Sequence, residues 1–275
     1  MGLAVRLWTV TICMVCMALP LQAERAPQIE ALLEALKISE TVEIMQQEGH
    51  SYGEDLANQL VPDADPEMWK QVIARIYDGD KMVALIADGF EAELTQSDLE
   101  PILNYYQSKD GGEIVALEVS ARRAFLDPDT EAMAAEQFQD LAAQGGRLLE
   151  QIDIVMHDSD LVEMNVAGAL NSDLMFYRGL TDGGAFEMTE DEMLTDVWAQ
   201  EEDLRLSSRD WLQSFLLMAY QPLTPEQLDA YAAFYRTPEG RKLNRAIFVA
   251  FDQMYEEISY LLGLAVAQHM QSEKL

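Results

Sequence analysis

The chain has 275 residues, of which 49% are hydrophobic, and its 49 acidic residues against 18 basic ones give a formal net charge of −31. This length and hydrophobic content suffice for one large or two ordinary globular domains. So large an acidic excess repels phosphate backbones and anionic lipid headgroups, which excludes an ordinary nucleic-acid-binding protein. Two interpretations of the charge remain: a surface that keeps the protein soluble, and one that attracts cationic partners or divalent metal ions.

Residues 1–23 have the layout of a secretory signal peptide. Arg6 precedes an apolar run over residues 7–19, and the segment ends on the small residue Ala23. The run is shorter than the roughly 20 residues of a membrane-spanning helix. Leu21 fits the cleavage rule poorly, which keeps an uncleaved anchor open as the alternative. We therefore expect cleavage after Ala23 and no membrane span in the mature chain.

The positions of the two cysteines have a consequence for the mature chain. Both cysteines, Cys13 and Cys16, lie in the leader, so the mature chain has neither a thiol nucleophile nor a disulfide. The sequence contains no Asn-x-Ser/Thr glycosylation acceptor, which favours the bacterial periplasm over a eukaryotic secretory route. The expected product is a soluble periplasmic protein whose stability comes from a hydrophobic core.

Apolar residues recur at spacings of three and four through most of the mature sequence, which predicts an all-α fold. The first predicted helix covers residues 27–47 and ends near Gly49. Its apolar residues, on or near one face, are Ile29, Leu32, Leu33, Leu36, Val42 and Met45. Further helices are predicted after Asp65-Pro66, with Met68, Val72, Ile73, Ile76 and Tyr77 as its apolar residues, and over residues 81–93, 98–106 and 109–125.

The sequence repeats itself. LTPEQLDAYAAFYRTPEGRKL at residues 223–243 corresponds to LTQSDLEPILNYYQSKDGGEI at residues 94–114. Weaker matches pair LLE with LLE and TVEI with LVEM earlier in each half. Repetition of this kind predicts a helical bundle, or two bundles, built from an internal duplication.

The boundary between the two halves is predicted at residues 126–130, because Pro128 interrupts a continuous helix. The first helical repeat then covers residues 24–126 and the second 131–275. Offsets between matching residues grow along the chain, which places an insertion in the second repeat near the acidic stretch at residues 187–203.

Each copy of the repeated segment contains two successive helix starts. Thr224 and Gln227 form the pattern of a capping box, and Thr95 with Asp98 keeps it in the first copy. Thirteen residues after each first cap, Ser108 or Thr237 is expected to cap a second helix.

A glycine at the third position of that second helix, Gly111 or Gly240, weakens it by about 1 kcal/mol relative to alanine, so we expect close approach of the neighbouring helix there. Two interpretations of the segment stay open. It is either a packed helical corner or a loop that presents Tyr106 or Tyr235 to a ligand.

The segment FYRTPEGRK, residues 234–242, is similar to the signature of the bacterial family called domain of unknown function 2059. The first copy departs from that signature, since Lys109 replaces the proline and Gly112-Glu113 replaces the basic pair. The resemblance implies an exported all-α protein. It assigns no reaction, cofactor or site residue to this chain.

A search for catalytic and metal-binding patterns gives no site. The three histidines, His50, His157 and His269, are widely separated and form no zinc-binding pair. HDSD at residues 157–160 contains the residue types of a catalytic triad but reads as a polar helix break. DGD at residues 78–80 and EDE at 190–192 do not follow the calcium-loop order. The sequence predicts no catalytic, cofactor-binding or metal residue.

The leading functional hypothesis is a binding or interaction protein of the cell envelope, with a protein or peptide partner and no enzymatic activity. A hydrolase or lyase that uses carboxylates in a cleft between the two repeats is the second hypothesis. A structural or stress-solubility protein is the third. A shared cavity between equivalent faces of the repeats would favour ligand binding.

Overall fold

The computed structural model describes residues 26–272, which form helices and no strand, and this confirms the all-α prediction. The predicted signal peptide lies outside the described residues. The helices are α1 (Pro27–Ala35), α2 (Ile38–Leu60), α3 (Pro66–Ile76), α4 (Gly79–Glu93), α5 (Gln96–Tyr106), α6 (Lys109–Ala124), α7 (Pro128–Ala142), α8 (Arg147–Asp158), α9 (Leu161–Asp182), α10 (Glu190–Trp198), α11 (Glu201–Tyr220), α12 (Pro225–Tyr235) and α13 (Pro238–Ser272). None of them combines the length and the apolar character that a membrane span requires.

The single helix predicted over residues 27–47 is wrong, because the chain breaks between α1 and α2 at Lys37, whose φ is 52°. At about 100° per residue, Ile38 and Val42 in an unbroken helix would lie on the side opposite Ile29 and Leu33. All four side chains are buried. The break therefore turns the second apolar face towards the same core.

The predicted helix end at Gly49 is also wrong, since α2 continues to Leu60. A Cβ at Gly49 would lie closer than 3.0 Å to the Tyr77 ring, and one at Gly53 would meet Ile73 at 2.7 Å. Both glycines thus allow α3 to pack closely on α2 rather than ending the helix. In α3, Trp69 and the predicted Ile73 are buried, whereas the predicted Met68 is exposed.

The repeated segments form the expected capped corners. Thr224 Oγ1 accepts a hydrogen bond from the Gln227 amide and Ser108 Oγ accepts one from the Gly111 amide, at 3.3 and 3.1 Å. In the second copy, Thr237 Oγ1 accepts from the Gly240 amide at 3.0 Å. A Cβ on either glycine would lie closer than 3.0 Å to a backbone carbonyl oxygen of the preceding helix. Close backbone approach is therefore confirmed as the reason for both glycines.

The last helix of each half completes the core of the other half. One core consists mainly of residues from α1 to α5, and Leu243, Ala250 and Leu262 of α13 are buried within it. The other core consists mainly of residues from α8, α11 and α12, and α6 contributes Ile114 and Ala121 to it. The helix α13 packs on α4, and α6 packs on α11. We call this arrangement the helix exchange.

Helices α9 and α13 run parallel and pack with their backbones in close contact, along what we call the glycine seam. A Cβ at Gly179 would lie 3.0 Å from Gly263 Cα, and a Cβ at Gly263 would lie 3.0 Å from Gly179 Cα. The paired residues keep a constant difference of 84 in number, which fixes the register. The pairs are Gly168 with Asp252, Gly179 with Gly263, and Gly183 with Ala267.

The order of the helices is consistent with two related halves joined by α7. The junctions before α2 and before α9 both turn at a residue with φ of 52°, Lys37 and Asp160. The pairs α5–α6 and α12–α13 form equivalent corners at equivalent places. Duplication would leave such correspondences, and common descent stays a prediction.

Candidate functional site

A cleft of about 570 Å³ lies where the two halves meet, and we call it the central cleft. Its walls come mainly from α6, α9, α11, α12 and α13, together with the junction between α8 and α9. The aromatic residues that line it are Trp211, Phe215, Tyr220, Tyr231, Tyr235, Phe248, Phe251 and Tyr255. A smaller cavity of about 190 Å³ shares Glu118, Arg122 and Phe251 with it and extends towards Leu36, which follows α1, and towards apolar residues of α2 and α6.

The two corners contact each other through equivalent residues beside this cleft. Tyr106 and Tyr235, which are 129 positions apart, have their hydroxyl oxygens 3.2 Å from each other. The rings of Tyr105 and Phe234 stack with centroids 4.1 Å apart. Equivalent faces of the two halves therefore pack together and leave a cavity beside the contact. Tyr235 belongs both to the packed corner and to the cleft wall, so the two interpretations of this segment are compatible.

Glu118 is the acceptor at the centre of a tyrosine network. Tyr220 and Tyr231 donate hydrogen bonds to its Oε1, at 2.7 and 2.9 Å. The hydroxyl of Tyr231 lies 3.4 Å from that of Tyr235, which continues the network to Tyr106. Burial raises the pKa of the Glu118 carboxyl, and the two tyrosine hydrogen bonds oppose that rise. Among the described residues, none donates a hydrogen bond to its other oxygen, Oε2.

Arg122, one turn after Glu118 on α6, is neutralised within the protein. Its guanidinium donates two hydrogen bonds to the carboxylate of Glu48, at 3.0 and 2.7 Å, and lies 3.5 Å from the Tyr255 hydroxyl. A bidentate arginine–carboxylate pair of this kind is strong and geometrically fixed. The guanidinium lines the cleft, but its charge is already paired with the Glu48 carboxylate.

Asp252 on α13 is a second carboxylate of the cleft. Burial raises its pKa to about 6, and the neighbouring Glu256 adds to the rise. No hydrogen bond or ion pair to it occurs within residues 26–272 of the chain. Gly168 on α9 leaves space for this side chain, since a Cβ there would lie 2.5 Å from Asp252 Oδ1. Asp252 therefore lies at one end of the glycine seam, in the wall of the cleft.

Ser159 is a buried hydroxyl without a partner. Its side chain is 2% exposed, it lines the cleft, and its Oγ has no hydrogen bond in the described part of the chain. Its backbone carbonyl accepts a hydrogen bond from Asn244 on α13 at 2.9 Å, which fixes its position. Buried polar atoms are rarely left unpaired, so such a hydroxyl is available for a ligand.

The patterns considered in the sequence take structural roles. HDSD at residues 157–160 forms the expected break between α8 and α9, and the side chain of His157 is 89% exposed. Asp78 caps α4, and Glu192 belongs to the capping box of α10. In the described part of the chain, no three His, Cys, Asp or Glu side chains are grouped as metal ligands.

Sequence reasoning missed the functional candidates Glu118, Asp252 and Ser159. Ser159 was considered only as a member of HDSD, and Glu118 and Asp252 belong to no local motif. Their partners are 84 to 113 residues away in the chain, as with Tyr231 and Glu118 or Asn244 and Ser159. The sequence feature that could have indicated Glu118 and Asp252 is an acidic residue within an otherwise apolar or aromatic stretch of α6 or α13.

Comparison with known proteins supports the resemblance and adds no activity. Residues 80–140 match the family described as "Uncharacterized protein conserved in bacteria (DUF2059)". The matched segment contains the first corner and Glu118, and it ends before the second corner. No curated protein and no solved structure matches the chain.

Proposed function

We propose that this protein binds a small organic ligand in the central cleft. Its residues 80–140 match DUF2059, a family of uncharacterised bacterial proteins. The observation that carries the proposal is the cleft itself, where equivalent faces of the two halves meet beside about 570 Å³ of space. Ligand sites typically have about 300–1,000 Å³ with apolar walls and a few polar groups. The aromatic walls with Glu118, Asp252 and Ser159 agree with that description.

A cleft-filling substitution tests the proposal. Ala169 lines the cleft and is half-buried, and Ala169→Phe would occupy part of its space. With the neutral fluorescent probe N-phenyl-1-naphthylamine, we expect saturable binding by the wild type and at least about tenfold weaker binding by Ala169→Phe. Ala74→Phe, on an exposed position of α3, is the matched control and should bind like the wild type.

Two results would contradict cleft binding. Equal affinity in all three proteins would place the probe elsewhere on the surface, and absence of saturable binding by the wild type would remove the support for a small-molecule cleft. Far-ultraviolet circular dichroism should show that both variants keep the helical content of the wild type.

We infer that the protein works in the bacterial envelope, on the basis of the leader-like residues 1–23 and the acidic charge. Expression of the tagged full chain in a Gram-negative host should place it in the periplasmic fraction. Its N-terminal sequence should begin at Glu24. A cytoplasmic chain that retains residue 1 would disprove the export hypothesis.

A hydrolase or lyase is the second candidate function. Asp252 and Glu118 line the same cleft, and burial raises the pKa of both carboxyls. A carboxyl with a pKa of about 6 suits general acid–base catalysis near neutral pH. Mass-spectrometric detection of a product from a bound ligand, lost in Asp252→Asn, would support this function over simple binding. A purely structural role gains no support from a cleft of this size.

A further inference from the structure

We propose that the ligand of the central cleft is an organic cation, with its positive charge balanced by the cleft carboxylates Glu118 and Asp252 and an apolar or aromatic body against the ring-lined walls. This inference rests on the proposed binding function and names the chemical class of the ligand. It follows from three separate features of the cleft: its charge, its unpaired polar atoms and its aromatic lining.

The charge of the cleft is negative. Glu118 and Asp252 contribute two carboxylates, and Arg122 is the cation among the residues that line it. The two hydrogen bonds from Arg122 to Glu48 neutralise that cation within the protein. A ligand carboxylate or phosphate would therefore face two acids without a matching positive group, and like-charge juxtaposition of this kind opposes binding.

Several polar atoms of the cleft can accept a hydrogen bond from a ligand. Glu118 Oε2 and both oxygens of Asp252 can only accept hydrogen bonds when ionised, and within the described chain no group donates to them. Ser159 Oγ is buried and unpaired, and it can accept as well. An ammonium group supplies several N–H donors and a positive charge, so it satisfies acceptors that the protein leaves open.

The aromatic walls favour the same ligand. Trp211 and Phe215 stack at a centroid distance of 4.9 Å, and Phe251 also lines the cleft. Ring faces attract cations, by about 0.5–2 kcal/mol each depending on desolvation. The adjoining cavity of about 190 Å³, with Val115 and Val119 in its wall, offers apolar space for the ligand's body.

A matched trio of probes tests the ligand class. 4-Phenylbutylamine, 4-phenylbutan-1-ol and 4-phenylbutanoate share one apolar body and differ in charge. By isothermal titration calorimetry at pH 7.5, we expect the amine to bind at least about tenfold more tightly than the alcohol, and the carboxylate not to bind detectably. Equal affinities of amine and alcohol would overturn the cation proposal while leaving the binding function intact. Absence of binding by all three would overturn both.

Amino-acid substitutions test whether the preference for the amine over the alcohol comes from the carboxylates of the cleft. Asp252→Asn should remove most of the preference for the amine over the alcohol. Asp203→Asn, which makes the same change of charge at an exposed position of α11, should keep it. If Asp203→Asn reduces the preference as much as Asp252→Asn, the overall acidity of the protein explains it and the site assignment is wrong.

The Asp252→Asn variant should remain folded, so its loss of binding is interpretable. Burial raises the pKa of this carboxyl from 3.8 to about 6, so between these values the folded state binds more protons than the unfolded state. The favourable contribution of the protonated form is complete below pH 3.8 and is lost as the pH rises through about 6. At pH 7.5 asparagine avoids a desolvated charge, and urea unfolding should show the variant to be at least as stable as the wild type. A less stable variant would disprove this.

Discussion

Gly111→Ala is expected to destabilise the protein by about 2–4 kcal/mol, whereas Gly112→Ala, one residue later in the same helix, is expected to stabilise it by up to about 1 kcal/mol. A Cβ at Gly111 would lie closer than 3.0 Å to the backbone of Tyr105 and Tyr106, which cannot move without distorting the corner. A Cβ at Gly112 would find its nearest neighbour, the Tyr106 carbonyl oxygen, at 3.5 Å. Alanine there gains helix propensity at no steric cost.

Urea unfolding followed by circular dichroism measures both changes. The wild type and the Gly240→Ala variant complete the comparison, because Gly240 makes the same close approach in the second corner and should behave like Gly111. Similar stabilities of the Gly111→Ala and Gly112→Ala proteins would show that the corner relaxes to admit a methyl group. The close-packed corner would then be the wrong explanation of these glycines.

Glu118→Leu is expected to cost about 2–4 kcal/mol of folding free energy, because it leaves two buried tyrosine hydroxyls without their acceptor. Tyr220 and Tyr231 are 1% and 4% exposed, and both donate to Glu118 Oε1. Loss of this acceptor also disconnects Tyr235 from the carboxylate end of the network.

Glu118→Gln is the matched control, since an amide oxygen can accept the same hydrogen bonds from the two tyrosines. Its cost should stay below about 1 kcal/mol, because a neutral acceptor weakens the bonds without removing them. Chemical denaturation of the three proteins at one pH gives both values. If Leu and Gln have equal effects, the charge of Glu118 rather than its role as acceptor determines its contribution.

The all-α fold and the capped corners could be predicted from the sequence because their causes are local. Thr224 and Gln227 are three residues apart, and Ser108 caps an amide three residues on. The glycines could be interpreted in the same way, since Gly111 contacts the helix immediately before it. By contrast, Gly49 was assigned to a helix end because its true neighbour, Tyr77, is distant in sequence.

The cleft could not be predicted, because it depends on contacts between residues of different helices. Glu118 meets Tyr231 across 113 residues, and Asp252 meets Gly168 across the α9–α13 register. Hydrophobic periodicity indicates which face of a helix is buried but not which helix covers it. The sequence repeat left open whether its two segments meet, and the contact between the Tyr106 and Tyr235 hydroxyls brings them together.

The helix exchange has a consequence for the order in which the chain acquires its structure. The first core is incomplete without α13, which contributes Leu243, Ala250 and Leu262 to it. Contacts of such long sequence separation slow folding, because a large loop entropy is lost before they stabilise the chain. The first half alone therefore folds incompletely, and we expect both cores to form together once α13 is present.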